Sequence, residues 1–345
     1  WAIYVEYNRQ DVVSERAIRQ KLSRFPVYEK EQPLWIHDQH INDRGVGVDL
    51  NLAEHAVEID AIIKARLLEQ AKELTGLENP KSTAQLKSWI EDTAGIEVES
   101  LNKKSIAGVR ADADCDAVDR MLDIRAGLAK TSTEKYNAML RTACPDGRIR
   151  GLTQFYGAAR TGRWAGRLVQ MQNLPQNKMP DRDLDTARQL VEAGDLETLE
   201  MLFDDISGTL SQLIRTAFIP RPGYRFIVSD FSAIEARVIA WLASEEWRME
   251  VFKTHGKIYE ASASQMFGVP LELIKKGRPE YALRQKGKVA ELALGYGGSV
   301  GALKAMGALN YGLTEEELKP LVDAWRQSNP RIVKFWWDVD RAAAT

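Results

Sequence analysis

At 345 residues, with 44% hydrophobic and 28% charged residues, the chain has the composition of a soluble globular protein of two or three domains. A net charge of −2 does not announce a nucleic-acid partner, no apolar run of about 18 residues exists to span a membrane, and two cysteines, Cys115 and Cys144, are too few for a disulfide framework. The N-terminus lacks a signal-peptide layout, and on its two cysteines a reducing cytoplasm is the expected compartment.

Trp1 to Leu22 mixes a short strand-like piece, Ala2 to Val5, with a helix pattern. Pro26 to Gly47 reads as a connector on its prolines and on Gly45-Val-Gly47, with His37-Asp38 in a structural role. Asn51 to Leu74 predicts an amphipathic helix, with Leu52, Ile59, Ile62, Ile63, Leu67 and Leu74 on its apolar stripe and Gly76 closing it. A helix at Gln85 to Ile90, a loop at Lys103-Lys104-Ser105 and one or two long helices over Asp112 to Ala143 follow. Arg148 to Pro175 is loop and strand, with Phe155, Tyr156 and Trp164 among arginines. Six arginines lie between Arg141 and Arg167 against the single acid Asp146. Such a local basic stripe suits a phosphate track, and the interleaved rings suit stacked bases or a packed surface. An acidic helical pattern, Leu184 to Ile206, reads as a solvated structural insert.

The stretch Tyr224 to Phe267 opens with the apolar run Phe226 to Val228, which predicts a buried strand ending on Asp230. A helix pattern follows on Ile234, Val238, Ile239 and Leu242. A carboxylate at the mouth of a buried strand is a place to hold a hard cation such as Mg²⁺. Asp230 or Ser232 could equally cap the helix, and Ser232-Ala-Ile-Glu235 fits a capping box. Further on, Arg284, Lys288, Leu292 and Tyr296 fall at steps of four and predict one slowly turning helical stripe. Two cations and then an aromatic suit a triphosphate at one end and a nucleobase at the other. Alone, the two cations would read as a solvated face.

Together the two stretches resemble motifs A and B of the family A DNA polymerases, the polymerase I group. SDFSAIEARVIAWLA is similar to motif A, and Arg284-x3-Lys288-x7-Tyr296-Gly297 to motif B on the fingers helix. Thr161-Gly-Arg163 and Gln172-Asn173-Leu-Pro resemble two further family elements, and GRWAGRLVQMQNLP places the chain nearest the phage-type branch. The likeness runs from about Val48 to Arg341. It departs from the bacterial pattern at the 177–213 insert, at Thr216, where a second arginine is common, and at Leu292, where Phe or Tyr is usual.

The resemblance implies a helix-rich α+β fold with right-hand polymerase architecture. The layout is an exonuclease-domain remnant at 1–25, connector 26–50, thumb 51–143, first part of the palm 144–232 and fingers with the start of the return to the palm 233–345. It implies DNA synthesis from dNTPs on primer-template DNA, with two Mg²⁺ ions, by a monomer in the cytoplasm of a host cell. Asp230 and the backbone carbonyl of Phe231 are the implied metal ligands. Arg284 and Lys288 bind the triphosphate, and Lys288 can protonate pyrophosphate. Phe231, Ser232, Glu235, Leu292 and Tyr296 line the dNTP site, where Glu235 and Tyr296 close the space of a ribose 2′-hydroxyl. Arg148, Thr161, Arg163, Gln172, Asn173, Arg237, Lys103 and Lys104 contact DNA. In the thumb, Lys81, Ser82, Lys130, Ser132 and Thr133 join them as phosphate contacts. Tyr7 and Asp11 resemble the final exonuclease motif. His37-Asp38 resembles motif C only superficially, with Gln39 where an acid is expected. Motif C, with the second catalytic aspartate, is expected beyond Thr345. The chain begins at Trp1 and ends at Thr345 in a helix pattern, so it is expected to be an internal fragment with little activity of its own. A non-catalytic primer-template-binding module and a single-subunit RNA polymerase are the competing readings. Glu235 argues against the second.

Overall fold

The computed structural model describes residues 1–345 except Val27, Lys103 and Lys104, so the expected loop lysines lie outside the described residues. The fold is helix-rich α+β and divides into two compact units, Trp1–Phe226 and Ile227–Thr345. No helix among the described residues is long and apolar enough to cross a membrane.

In the first unit, α1 (Ala2–Leu22) is one continuous helix with no buried residue, so the strand expected at Ala2 to Val5 is absent. Nothing pairs with that piece, and a strand without a ladder leaves its amides unsatisfied whereas a helix satisfies its own. The expected connector carries α2 (Glu31–Arg44), which leads through Gly45 into β1 (Val46–Val48). Gly45 has a φ of 59°, and a Cβ there would lie 2.3 Å from the carbonyl oxygen of Ile149. Only glycine fits this approach. β1 is the centre of a small antiparallel sheet, flanked by β2 (Arg148–Ile149) and, after β3 and β4 below, by β5 (Phe218–Ile219).

The predicted amphipathic helix is α3 (Leu50–Thr75). Asp49 caps it by accepting from the Leu52 amide at 3.0 Å, and Gly76 ends it in the left-handed conformation. Its first half enters a core with Tyr136, Met139 and Leu210, and its second half enters another with Leu86, Ile90, Met121 and Leu122. The second core belongs to α4 (Thr83–Ala94), α5 (Ile106–Ala113) and α6 (Asp116–Leu128). With α7 (Glu134–Thr142), the expected one or two long helices become three. Asp114 breaks the first junction at a φ of 40°, and the Thr131-Ser-Thr133 turn breaks the second. Short polar side chains that bond nearby backbone favour such breaks.

β3 (Thr153–Ala158) and β4 (Arg163–Gly166) form a hairpin bearing Phe155, Tyr156 and Trp164. Asp38, 2% exposed on α2, anchors it. Its carboxylate accepts from the Thr153 hydroxyl at 2.6 Å, the Phe155 amide at 3.3 Å and Asn42 Nδ2 at 3.2 Å. Asn42 in turn bonds the Thr153 amide and carbonyl. His37-Asp38 thus belongs to the scaffold.

The insert forms α8 (Asp181–Ala193), α9 (Leu196–Leu202) and α10 (Ile206–Leu213). It is not merely solvated, because Ala187, Val191, Leu199, Leu210 and Leu213 are buried in the first core. Arg188 of α8 pairs with Asp49 and with Glu192, and donates to the Thr216 carbonyl at 2.5 Å and to the Thr216 hydroxyl at 3.1 Å.

The second unit is all helical: α11 (Ile234–Leu242), α12 (Glu246–Thr254), α13 (Ile258–Phe267), α14 (Ala282–Leu294), α15 (Val300–Ala305), α16 (Glu315–Ser328) and α17 (Pro330–Ala344). Its core gathers Val289, Ala290, Leu294, Leu303, Leu318, Val322 and Trp325. Trp336 stacks on Trp325 at 5.8 Å, whereas Trp337 is 59% exposed.

Removing the hairpin anchor should cost stability. Asp38→Ala leaves the Phe155 amide without this acceptor and the Thr153 hydroxyl with Asn42 Oδ1 alone, and should destabilise the first unit by about 1–3 kcal/mol, as a buried orphaned donor does. Urea unfolding followed by hydrogen exchange at the Phe155 amide checks this. A wild-type midpoint and unchanged exchange would contradict it.

Candidate functional site

The segment before α11 is not the buried strand its sequence predicts. Phe226 to Val228 forms no strand, and Val228 is 91% exposed. No described residue offers it a hydrogen-bonded neighbour, and an apolar run without a ladder partner has no strand to join. Asp230, Phe231 and Ser232 are all exposed. The Asp230 carboxylate has no hydrogen-bond or ion-pair partner among the described residues. The capping box does not form: Ala233, at φ 50° and ψ 45°, is the N-cap, with no side-chain bond to the helix. The turn is held from behind by Arg237, whose Nε donates to the Ser232 carbonyl at 2.9 Å while its guanidinium lies 4.4 Å over Phe252.

Helix α14 presents Arg284, Lys288 and Leu292 along one stripe, as expected. The helix stops at Leu294, so Tyr296 stands in the following turn, 72% exposed. Gly297, at φ 78°, makes that turn, and a Cβ at Gly298 would lie 2.0 Å from the Ala293 carbonyl oxygen. Arg284 Nε donates to Glu260 Oε1 at 2.8 Å. Its guanidinium sits 5.5 Å from the ring of Tyr259 and 5.9 Å from that of Tyr281. The Glu260 bond takes only the Nε edge, and the two Nη nitrogens have no hydrogen-bond partner among the described residues. Half-buried Lys288 likewise has no ion-pair partner among them, whereas Lys286 is paired with Glu317 at 2.7 Å. Tyr259 lies beside the Arg284 guanidinium. Burial first, then the charges of Glu291, Glu235 and Glu260, push its hydroxyl above the ordinary value against the pull of Arg284.

The side of α14 next to the stripe, reached by Arg284, is packed against α13. A Cβ at Gly287 would lie 2.2 Å from the Tyr259 carbonyl oxygen, so this glycine permits close approach of the two helices. One turn on, the buried Glu291 accepts from Arg248 Nη1 at 2.9 Å, Ser262 Oγ at 2.7 Å and Trp325 Nε1 at 2.9 Å, and pairs through its second oxygen with Arg248 Nη2. Arg248, fully buried, also donates to Asn329 Oδ1 at 2.9 Å. None of Arg248, Glu260, Ser262, Glu291 or Asn329 was singled out from sequence. The available signal was a carboxylate, Glu291, on the apolar side of a helix between Val289 and Leu294.

The remaining candidates belong to the first unit. Thr161 and Arg163 sit at the hairpin end, and the Gln172 side chain lies against Gly166 of β4, next to Asn173. All four are exposed. Arg148 donates through Nε and Nη2 to the carbonyls of Arg44 and Gly45, both at 2.8 Å, so its guanidinium binds scaffold backbone. Thr133 is 1% exposed and donates to Asp60, which removes it as a phosphate contact. Lys130 is paired with Asp205, and Ser82 caps α4. Tyr7 and Asp11 lie four residues apart on exposed α1. Among the described residues no three His, Cys, Asp or Glu side chains gather to hold a metal.

The Glu291–Arg248 pair gives a stability prediction. Arg248→Ala strands a buried carboxylate and should destabilise the second unit by about 3–5 kcal/mol, the cost of breaking a buried pair from one side. Thermal unfolding with near-ultraviolet circular dichroism of the Trp325–Trp336 stack reads it, and a loss below about 1 kcal/mol would contradict the burial argument.

Comparison with known proteins adds the family. Residues 51–345 match the profile of DNA polymerase family A. The chain is 59% identical over 343 residues to the DNA polymerase of Bacillus phage SP02, covering 99% of this chain and 52% of the relative. It is 26% identical over 324 residues to the thermostable DNA polymerase I of Thermus aquaticus, covering 88% of this chain and 33% of that enzyme. In fold it resembles the POL domain of Pol1 from M. smegmatis, solved in complex with DNA primer-template and dNTP. The TM-score is 0.63 at 22% identity, over 95% of this chain and 53% of that one. The chain thus spans about half the length of the phage relative and of the solved domain. On the match across residues 51–345 and the identity to the phage enzyme, this chain belongs to DNA polymerase family A.

Proposed function

We propose that this chain is the thumb, the first part of the palm and the fingers of a template-directed DNA polymerase that extends a primer 3′ end from dNTPs. The observation that carries the reading is the α14 stripe, where the Arg284 Nη edge and the Lys288 ammonium face outward without a protein partner among the described residues. A guanidinium held by its Nε side presents two parallel donors, which match adjacent phosphate oxygens. Lys288, one turn on, adds a point charge and a proton source for departing pyrophosphate.

In the reaction the primer 3′-oxygen attacks the α-phosphorus of the dNTP and pyrophosphate leaves. The residues of this chain bind and orient. Arg284 and Lys288 hold the triphosphate, and Tyr296 in the turn beyond the helix meets the sugar and base. Glu235 at the start of α11 and Tyr296 together fill the space of a 2′-hydroxyl, which favours dNTP over rNTP. Arg237 fixes the Asp230–Ser232 turn by its bond to the Ser232 carbonyl. Thr161, Arg163, Gln172 and Asn173 form an exposed polar edge on the hairpin of the first unit, suited to minor-groove acceptors that every correct pair shares. Asp230 fits a hard cation on chemistry: its carboxylate is exposed and uncommitted, and the Phe231 carbonyl oxygen follows one residue on. Mg²⁺ held there would stabilise charge on the attacking and leaving oxygens. The phage relative supports action in a host cytoplasm.

Primer extension by the full-length protein tests this. Asp230→Ala should lower the extension rate by about 100-fold or more with primer-template binding intact, as loss of a metal ligand does. An unchanged rate would remove Asp230 from the site. Glu235→Ala should raise rNTP use relative to dNTP by about 10-fold or more, the scale of a lost steric contact. An unaltered ratio in competition assays would place sugar selection elsewhere.

A further inference from the structure

We propose that Glu291 is a positioning residue for the triphosphate site, and that its carboxylate sets the rotation and height of α14 from the buried seam with α13. This rests on the reading of α14 given above. Glu291 follows Arg284 by seven residues and Lys288 by three, so its side chain leaves α14 near the Arg284 direction two turns on, buried at the seam with α13 where Arg284 bonds Glu260. Its two oxygens take four donor contacts from three helices: Arg248 of α12, twice, Ser262 of α13 and Trp325 of α16. Asn329 closes the circuit by accepting from Arg248 and donating to the Trp325 carbonyl at 2.7 Å. Arg248 Nε is left without a partner, so the guanidinium is committed to one orientation by its Nη pair alone.

An apolar contact tolerates sliding, because dispersion has little directionality. A buried carboxylate does not. Each donor fixes one lone-pair direction, and a slip of about 1 Å would strand charged groups away from water. α13 adds a second constraint. It touches the Gly287 backbone closely, supplies Ser262 to Glu291 and supplies Glu260 to Arg284 Nε. The polar cluster therefore acts on the outward stripe through a rigid helix. Rotating α14 to relax Glu291 would swing Arg284 and Lys288 off the same phosphates.

The test uses the full-length protein and two graded sets of variants. Glu291→Gln keeps the shape and removes the charge. Ser262→Ala deletes one donor with little change in volume, so it stays folded should Glu291→Gln not, and Trp325→Phe deletes another at the cost of a smaller ring against Trp336. Calorimetry measures the Kd for inorganic tripolyphosphate and for a dNTP on the primer-template complex, and primer extension measures KM and kcat. Glu291→Gln should raise both triphosphate Kd and dNTP KM by about 10-fold to 100-fold, the effect of a misplacement near 1 Å. The single-donor variants should raise them by about 2-fold to 5-fold, the loss of one hydrogen bond of about 1 kcal/mol or less. Primer-template affinity should stay unchanged in every folded variant. Unchanged tripolyphosphate Kd and dNTP KM in folded variants would overturn the proposal. So would a parallel loss of triphosphate and primer-template binding, the signature of general loosening. Wild-type protein that binds tripolyphosphate but extends no primer would overturn the polymerase reading alone, leaving Glu291 to be judged on Kd. Wild-type protein that does neither would overturn both.

Discussion

The second unit depends on one buried carboxylate. Glu291 lies on the packed side of α14, bonded to Arg248, Ser262 and Trp325, so helices α12, α13 and α16 converge on one point of α14. A buried pair of this kind contributes little net stability over an apolar replacement, since desolvation offsets most of the attraction. What it supplies is geometry: a helix with one charge fixed in its packed seam has only one azimuth. Gly287 makes the arrangement possible by letting α13 approach, and the Trp325–Trp336 stack carries the constraint to α17. Glu245 extends it by accepting from the Arg331 and Ile332 amides at the first turn of α17.

The first unit solves a different problem with the same means. Helix α3 serves two cores, and its start is fixed where Asp49 caps it and Arg188 pairs with the cap. Arg188 comes from α8, so the insert braces α3 and the Thr216 backbone just before β5. The β3–β4 hairpin is fixed by a third polar anchor, Asp38 with Asn42.

Local periodicity made α3, α4 and the α14 stripe readable from sequence, because helical burial repeats every three to four residues and each helix satisfies its own backbone. Phe226 to Val228 was misread for the converse reason: a strand exists only with a neighbour, and three apolar residues carry no record of whether one is present. Ala233 took the N-cap from Ser232 through a left-handed backbone that no side-chain pattern announces. The insert hid its buried face, since Ala187, Val191 and Leu199 are few among many acids. Arg148 drew attention as a cation, yet its donors go to carbonyls more than 100 residues earlier in the chain. Glu291 and Arg248 escaped for the same reason. Their pairing spans 43 residues, and only the folded core makes a charge on an apolar face meaningful.

The most direct measurement is hydrogen exchange by mass spectrometry on the full-length protein with primer-template, with and without the dNTP complementary to the template base. The account predicts added protection over residues 282–296 and 230–237 with the complementary dNTP and little with a mismatched one. Protection that ignores complementarity, or that falls outside these two stretches, would contradict the placement of the triphosphate on α14.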